Sequence, residues 1–201
     1  MAYFLGVRVK EIDIYPLGGI SKFDMDLNIN PKKELLILLW GPLFQVIAYY
    51  LLSIIWVREQ ELVTNYHLYI LIFNLLPIYP LDGGKILLLW IEKIFPYKKS
   101  LKIGIYISYG IVLLIFLRWK RIQINHIIMI GFCLFLIRKE EQKINYYHQK
   151  FILERFLKKY QFQKTKIVRN LNQFYRNRKH IIREENDYYQ EEEYFMKKYK
   201  K

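Results

Sequence analysis

The residues best equipped for chemistry lie near the middle of the chain, in NLLPIYPLDGG at 74–84. Asp82 is the only Asp, Glu, Lys or Arg between Glu61 and Lys85. A carboxylate in so apolar a setting can ligate a metal, pair with Lys85 or hold water. Left unpartnered at membrane depth, it costs about 3 kcal/mol on insertion scales. Pro77 and Pro80 each remove a backbone donor, and Gly83 and Gly84 loosen the chain beside Asp82. A helix carrying this string has to break there, and broken backbone at membrane depth must face protein or a water-filled cavity. Asn74 opens the string with a polar amide.

Histidine is a common partner of a carboxylate around zinc. The chain has His67, His126, His148 and His180, and none of them begins an HExxH. That motif would put two His on one helical face with a Glu beside them. His67 sits near an interface, His126 lies in an apolar run, and His148 and His180 lie in a polar tail, so none is expected to bind zinc. Cys133 is the only cysteine and sits in an apolar run, which implies neither a disulfide nor a thiolate metal site.

These residues must be positioned by apolar elements. Residues 35–57 carry no charged side chain. As a helix, that run is about 35 Å long, enough for a hydrocarbon core of about 30 Å. Residues 62–81 form a second uncharged run that continues through Asp82–Lys85 into 86–91. The runs at 103–117 and 122–137 are shorter, and flanking Lys102, Arg118 and Lys120 can snorkel to extend them. The expected fold is an α-helical polytopic membrane protein with about four transmembrane helices, at about 35–57, 62–91, 102–118 and 121–137. An N-terminal β-hairpin or small sheet (1–34) precedes this core (35–137), and a basic cytosolic tail (138–201) follows it.

Charge is distributed accordingly. The net charge is +14, of which residues 1–137 contribute +5 and residues 138–201 contribute +9. Such segregation excludes an ordinary soluble globule and a fully disordered chain. Lys and Arg gather before the first run, after the second and in the tail, while the first connecting loop has only Arg58. The positive-inside rule then puts both ends of the chain in the cytosol. Arg118, Lys120 and Arg121 run against that pattern.

At the N-terminus, Val7 and Val9 alternate with Arg8 and Lys10, and the phase changes at Lys10–Glu11 before Ile12 and Ile14 resume it. This predicts a strand with a bulge, followed by turn chemistry at Pro16, Gly18 and Gly19. It is either a plain surface hairpin or an edge that pairs with an extended peptide. In the tail, residues 143–160 space their apolar residues as an amphipathic helix with a basic face, lying on the lipid bilayer or packing on the bundle. Residues 165–201 read as a charged segment, partly helical or disordered. The adjacent bilayer is the simpler partner for the basic tail, and no nucleic acid is expected.

The string at 74–84 resembles the NxxPxxPLDGG motif of the site-2 protease family of intramembrane zinc metalloproteases, and within it the stage IV sporulation FB-type branch. Trp40-Gly41-Pro42-Leu43, Gln45, IYPLGGISKF at 14–23 and KFILERFL at 150–157 are similar to further family pieces and fall in the family's order. The resemblance implies that Asp82 is one of three protein ligands to zinc. It also implies that Asn74, with Pro77, Pro80, Gly83 and Gly84, shapes the site or holds substrate backbone. The remaining two ligands and the general-base Glu come, in that family, from HExxH, which is expected upstream of Met1. The implied substrate is a membrane-associated pro-protein, in the sporulation branch a sigma-factor precursor. Regulatory membrane proteins are implied as partners, and a bacterial inner membrane around the forespore as the location. The alternative is a catalytically inactive scaffold or decoy that binds clients through its N-terminal hairpin.

Overall fold

The computed structural model describes residues 8–15, 18–24, 26–55, 60–119, 123–158, 160–185 and 187–199. Alternation at the N-terminus produces β1 (Arg8–Tyr15), which pairs antiparallel with β2 (Gly18–Asp24). The register shifts between Val9 and Glu11, where the alternation changes phase. The ladder runs from Arg8 opposite Asp24 to Tyr15 opposite Gly18.

Helix α1 (Pro31–Ile55) begins with proline, whose missing N–H costs nothing in the first turn. Asn30 Oδ1 accepts from the Lys32 N–H at 3.0 Å and so satisfies one of the donors left open there. Helix α2 (Gln60–Leu75) then gives way to a turn at 76–81, and the chain resumes as α3 (Asp82–Ile94). The second apolar run is thus two helices joined at the Pro-Gly string. Helices α4 (Tyr97–Arg118), α5 (Ile124–Gln142) and α6 (Ile144–Leu157) complete the bundle. Helix α4 starts well before its uncharged run, because Lys98, Lys99 and Lys102 occupy its first turns. It therefore reaches 22 residues, where the run alone had suggested a shortfall.

Among the described residues, two helices, Pro31–Ile54 of α1 and Tyr97–Arg118 of α4, are long and apolar enough to cross a membrane. Helix α1 packs on α2 and α3, and α4 packs on α3, α5 and α6. Ile78, Leu88, Leu101, Ile105, Val112 and Ile137 form the buried centre. Large apolar side chains of α1, α2 and α5 stay exposed, among them Phe44, Ile54, Tyr69 and Ile128.

The C-terminal segment differs from its sequence reading. It is folded, with β3 (Thr165–Val168) parallel to β4 (Lys179–Glu184), β5 (Asp187–Gln190) antiparallel to β4, and α7 (Glu191–Tyr199) closing the unit. Val168, Phe174, Ile182, Tyr194 and Phe195 are buried in it, continuous with the bundle core. Strands of four to six residues carry too little alternation to stand out among so many charges. Helix α6 packs on α4 and α7, burying Phe151 and Ile152 together with His148, Glu154 and Arg155. It thus packs on the bundle through these residues, while Tyr146, Leu153, Phe156 and Leu157 stay exposed on its other side.

Candidate functional site

The turn at 76–81 folds back over the start of α3. The Ile78 N–H donates to Leu76 O at 2.7 Å, Leu81 N–H to Ile78 O at 2.8 Å, and Lys85 N–H to Leu81 O at 2.9 Å. The Tyr79–Pro80 peptide is cis. Ile78 is buried beneath the turn. The two glycines make this closure possible. A Cβ on Gly83 would lie 2.1 Å from the carbonyl oxygen of Leu75, and one on Gly84 would lie 2.3 Å from the carbonyl carbon of Ile78. Both obstacles are backbone, so no side-chain movement relieves them.

Asp82 opens α3, where the positive end of the helix dipole favours a carboxylate. It lies against α1: a Cβ added to Gly41 would come within 3.0 Å of Asp82 Oδ2. Lys85 Nζ stands 3.8 Å from Asp82 Oδ1, and the Asp82 side chain keeps 29% of its surface exposed. Lys85 is thus the partner that the described residues provide, at ion-pair rather than hydrogen-bond distance. Asn74 lies in the last turn of α2 and is partly buried; Pro77 and Pro80 lie in the turn itself, with Pro80 buried. One string thereby brings the end of α2, the turn and the start of α3 together, and Gly41 adds α1.

Sequence reasoning passed over Ser108. Its hydroxyl accepts from the Tyr79 N–H at 2.8 Å and donates to Gly104 O at 2.8 Å, pinning the turn to α4. Its one visible signal was a serine within the uncharged run at 103–117. Gln45 Nε2 donates to His67 O at 3.2 Å, joining α1 to α2.

Each histidine has a structural role. His67 stacks on Tyr49 with ring centres 4.4 Å apart, and His126 stacks on Trp119 at 4.1 Å while its Nδ1 accepts from Gln123 N–H. His148 Nε2 meets Leu171 O at 3.2 Å. His180 is fully buried, accepts from Tyr175 N–H at 2.9 Å and faces Glu191 at 2.8 Å. Cys133 is a buried free thiol.

Residues 61–117, which hold α2, the turn, Asp82, α3 and α4, match peptidase family M50. The chain is also 33% identical over 165 residues to stage IV sporulation protein FB of Bacillus subtilis, covering 78% of this chain and 57% of that protein. The chain belongs to peptidase family M50. A second relative is a zinc metalloprotease of Methanocaldococcus jannaschii, 31% identical over 147 residues, which cover 69% of this chain and 42% of that protein. The chain thus spans about half the length of the curated relatives it matches.

Family M50 and the second relative's name imply zinc. Among the described residues, no three His, Cys, Asp or Glu stand together as a metal-binding group. Asp82, with an ammonium beside it, is a single carboxylate, where a catalytic zinc takes three ligands from protein. These residues by themselves do not hold the ion.

Proposed function

We propose that this chain contributes the carboxylate side of an intramembrane zinc metalloendopeptidase that cleaves a membrane-associated pro-protein. The observation that carries the reading is the setting of Asp82. Its carboxylate is partly exposed, stands at a helix start inside an apolar bundle, and rests on a glycine of α1. Broken backbone at that depth is costly unless it serves a site. In this reading the two His ligands and the general-base Glu come from outside these 201 residues, and Asn74 with the Pro77–Pro80 turn lines the approach of substrate backbone.

The bundle is read as membrane-embedded, with α2 and α3 together and α5 as spans additional to α1 and α4. Exposed Leu, Ile, Phe and Tyr on α1, α2 and α5 support this, since such a surface is unusual against water. Both ends of the chain face the cytosol on the distribution of Lys and Arg. Likeness to a sporulation protein supports a client processed during sporulation, a sigma-factor precursor, in the membrane around the forespore, with regulatory membrane proteins as further partners.

The test starts from the DNA preceding the Met1 codon. Expression of the extended in-frame product should yield a chain with HExxH and one tightly held zinc, read by metal analysis, that Asp82→Ala removes along with peptide-bond cleavage. An extended chain whose zinc is indifferent to Asp82→Ala sinks the reading, as does an upstream region with no such motif. The second outcome leaves a membrane scaffold or decoy as the role to pursue.

A further inference from the structure

A crevice of about 690 Å³ lies where α1 begins, α3 ends and the C-terminal unit docks. Lys32, Lys93, Lys164, Arg176 and Arg178 all line it. Arg176 is already paired with the one lining carboxylate, Glu92, at 2.8 Å and with Glu34 beside it, so the net positive charge of the lining comes from Lys32, Lys93, Lys164 and Arg178. Arg176 is more than nine-tenths buried, and its Nε is a buried donor that has no hydrogen-bond partner among the described residues. An orphaned guanidinium donor lining a basic crevice calls for an acceptor of negative charge.

The other wall is apolar. Leu35 and Leu89 contribute to it, and Trp90 stands largely exposed with Lys93 Nζ 4.1 Å over its ring. A tryptophan beside a lysine, at the level where the apolar run of α1 starts, marks the headgroup zone of a bilayer. The volume lies within the usual range for small-ligand sites. We propose that this crevice binds the phosphate headgroup of an anionic phospholipid, whose acyl chains leave along α1 past Trp90. The site tethers the C-terminal unit and the bundle to the same lipid. The inference rests on the membrane-embedded part of the proposed function and is independent of zinc and of proteolysis.

The test uses the full chain reconstituted in phosphatidylcholine nanodiscs doped with phosphatidylglycerol, then extracted in a neutral detergent. Mass spectrometry of the retained lipid should find phosphatidylglycerol in stoichiometric amount. The combined Lys32→Gln, Lys93→Gln and Lys164→Gln variant should retain at least tenfold less, and the three Lys→Arg changes should restore it. A variant with Lys99→Gln, Lys102→Gln and Lys198→Gln removes equal charge away from the crevice and should retain lipid as the parent does. In a parallel arm, glycerol 3-phosphate and inorganic phosphate are titrated into the detergent-solubilised chain by calorimetry. Binding of either one in that arm, lost in the crevice variant and without retained phosphatidylglycerol, overturns the lipid in favour of a soluble phosphate ester. Equal lipid loss in both Gln variants, or none in either, overturns the site. Incorporation of every variant into nanodiscs is scored separately, so failure of the membrane reading is seen as failure to incorporate.

Discussion

Gly83 and Gly84 stand where a side chain has no room. The Cβ of Gly83→Ala would meet the Leu75 carbonyl oxygen, and the same change at Gly84 would meet Ile78. Each should cost about 1–3 kcal/mol, the range for overpacking a tight site. Gly41→Ala meets only the end of the Asp82 side chain and should cost less. Thermal unfolding in mild detergent gives the ranking, and a Gly41→Ala variant no more stable than Gly83→Ala would contradict it. Ser108→Ala leaves the Tyr79 N–H without its acceptor. An unmet buried donor costs about 1–3 kcal/mol, so faster hydrogen exchange at the turn than in the parent is expected; unchanged exchange would remove Ser108 from its pinning role.

At the scale of elements, the C-terminal sheet is organised around a neutral histidine. Tyr175 N–H donates to His180 Nε2, and Nδ1 faces Glu191, so the ring's one proton sits on Nδ1. Burial pushes the His180 pKa down from its ordinary 6.5, and the Arg155 and Arg178 charges add to this against the opposing pull of Glu191. His148 is lowered as well, chiefly by burial. Glu191 is exposed to the same burial, yet its pKa falls below the ordinary 4.5 because His180 and Arg155 hold its charged form. The unfolded chain therefore takes up protons first at all three sites. Their stabilisation is complete above about pH 6.5 and drains away as the solution is acidified through the folded pKa values. Amides of β4 should open more often as pH falls from 7 to 5, measured by hydrogen exchange, while α3 and α4 amides change less. Equal acid sensitivity in both regions would show that the histidines do not govern it.

Across the whole molecule, two arginines bind the C-terminal unit to the bundle. Arg176 bridges Glu34 at the start of α1 and Glu92 at the end of α3. Arg155 of α6 holds Asn28 Oδ1 at 2.7 Å, Tyr175 O at 2.9 Å and Glu191 at 3.0 Å. Removing one member of a buried ionic group strands the others, at a cost of about 3–5 kcal/mol. Arg176→Leu should therefore free the C-terminal unit to limited proteolysis between α6 and β3. Adding Glu34→Gln and Glu92→Gln should return part of the protection, because no buried charge is then left unpaired. If the triple variant is cleaved as fast as Arg176→Leu, the stranded charges are not what loosens the unit.

The residues by themselves determined the local chemistry. Alternation and its phase change marked β1 and its bulge. The Pro-Gly string marked a broken helix, and long uncharged runs marked α1 and the helices beside it. These are properties of near neighbours, written in adjacent positions. The partners of that string were not legible, since Gly41 and Ser108 reach it from α1 and α4 only after the bundle packs. Nor was the folding of residues 165–199, whose short strands gain their stability from Phe174, Ile182 and Phe195 in one core. Arg176 lies far along the chain from both of its carboxylates. Pairings at such separation are settled by burial and by the cost of leaving a charge unpaired, which only the tertiary structure brings to bear.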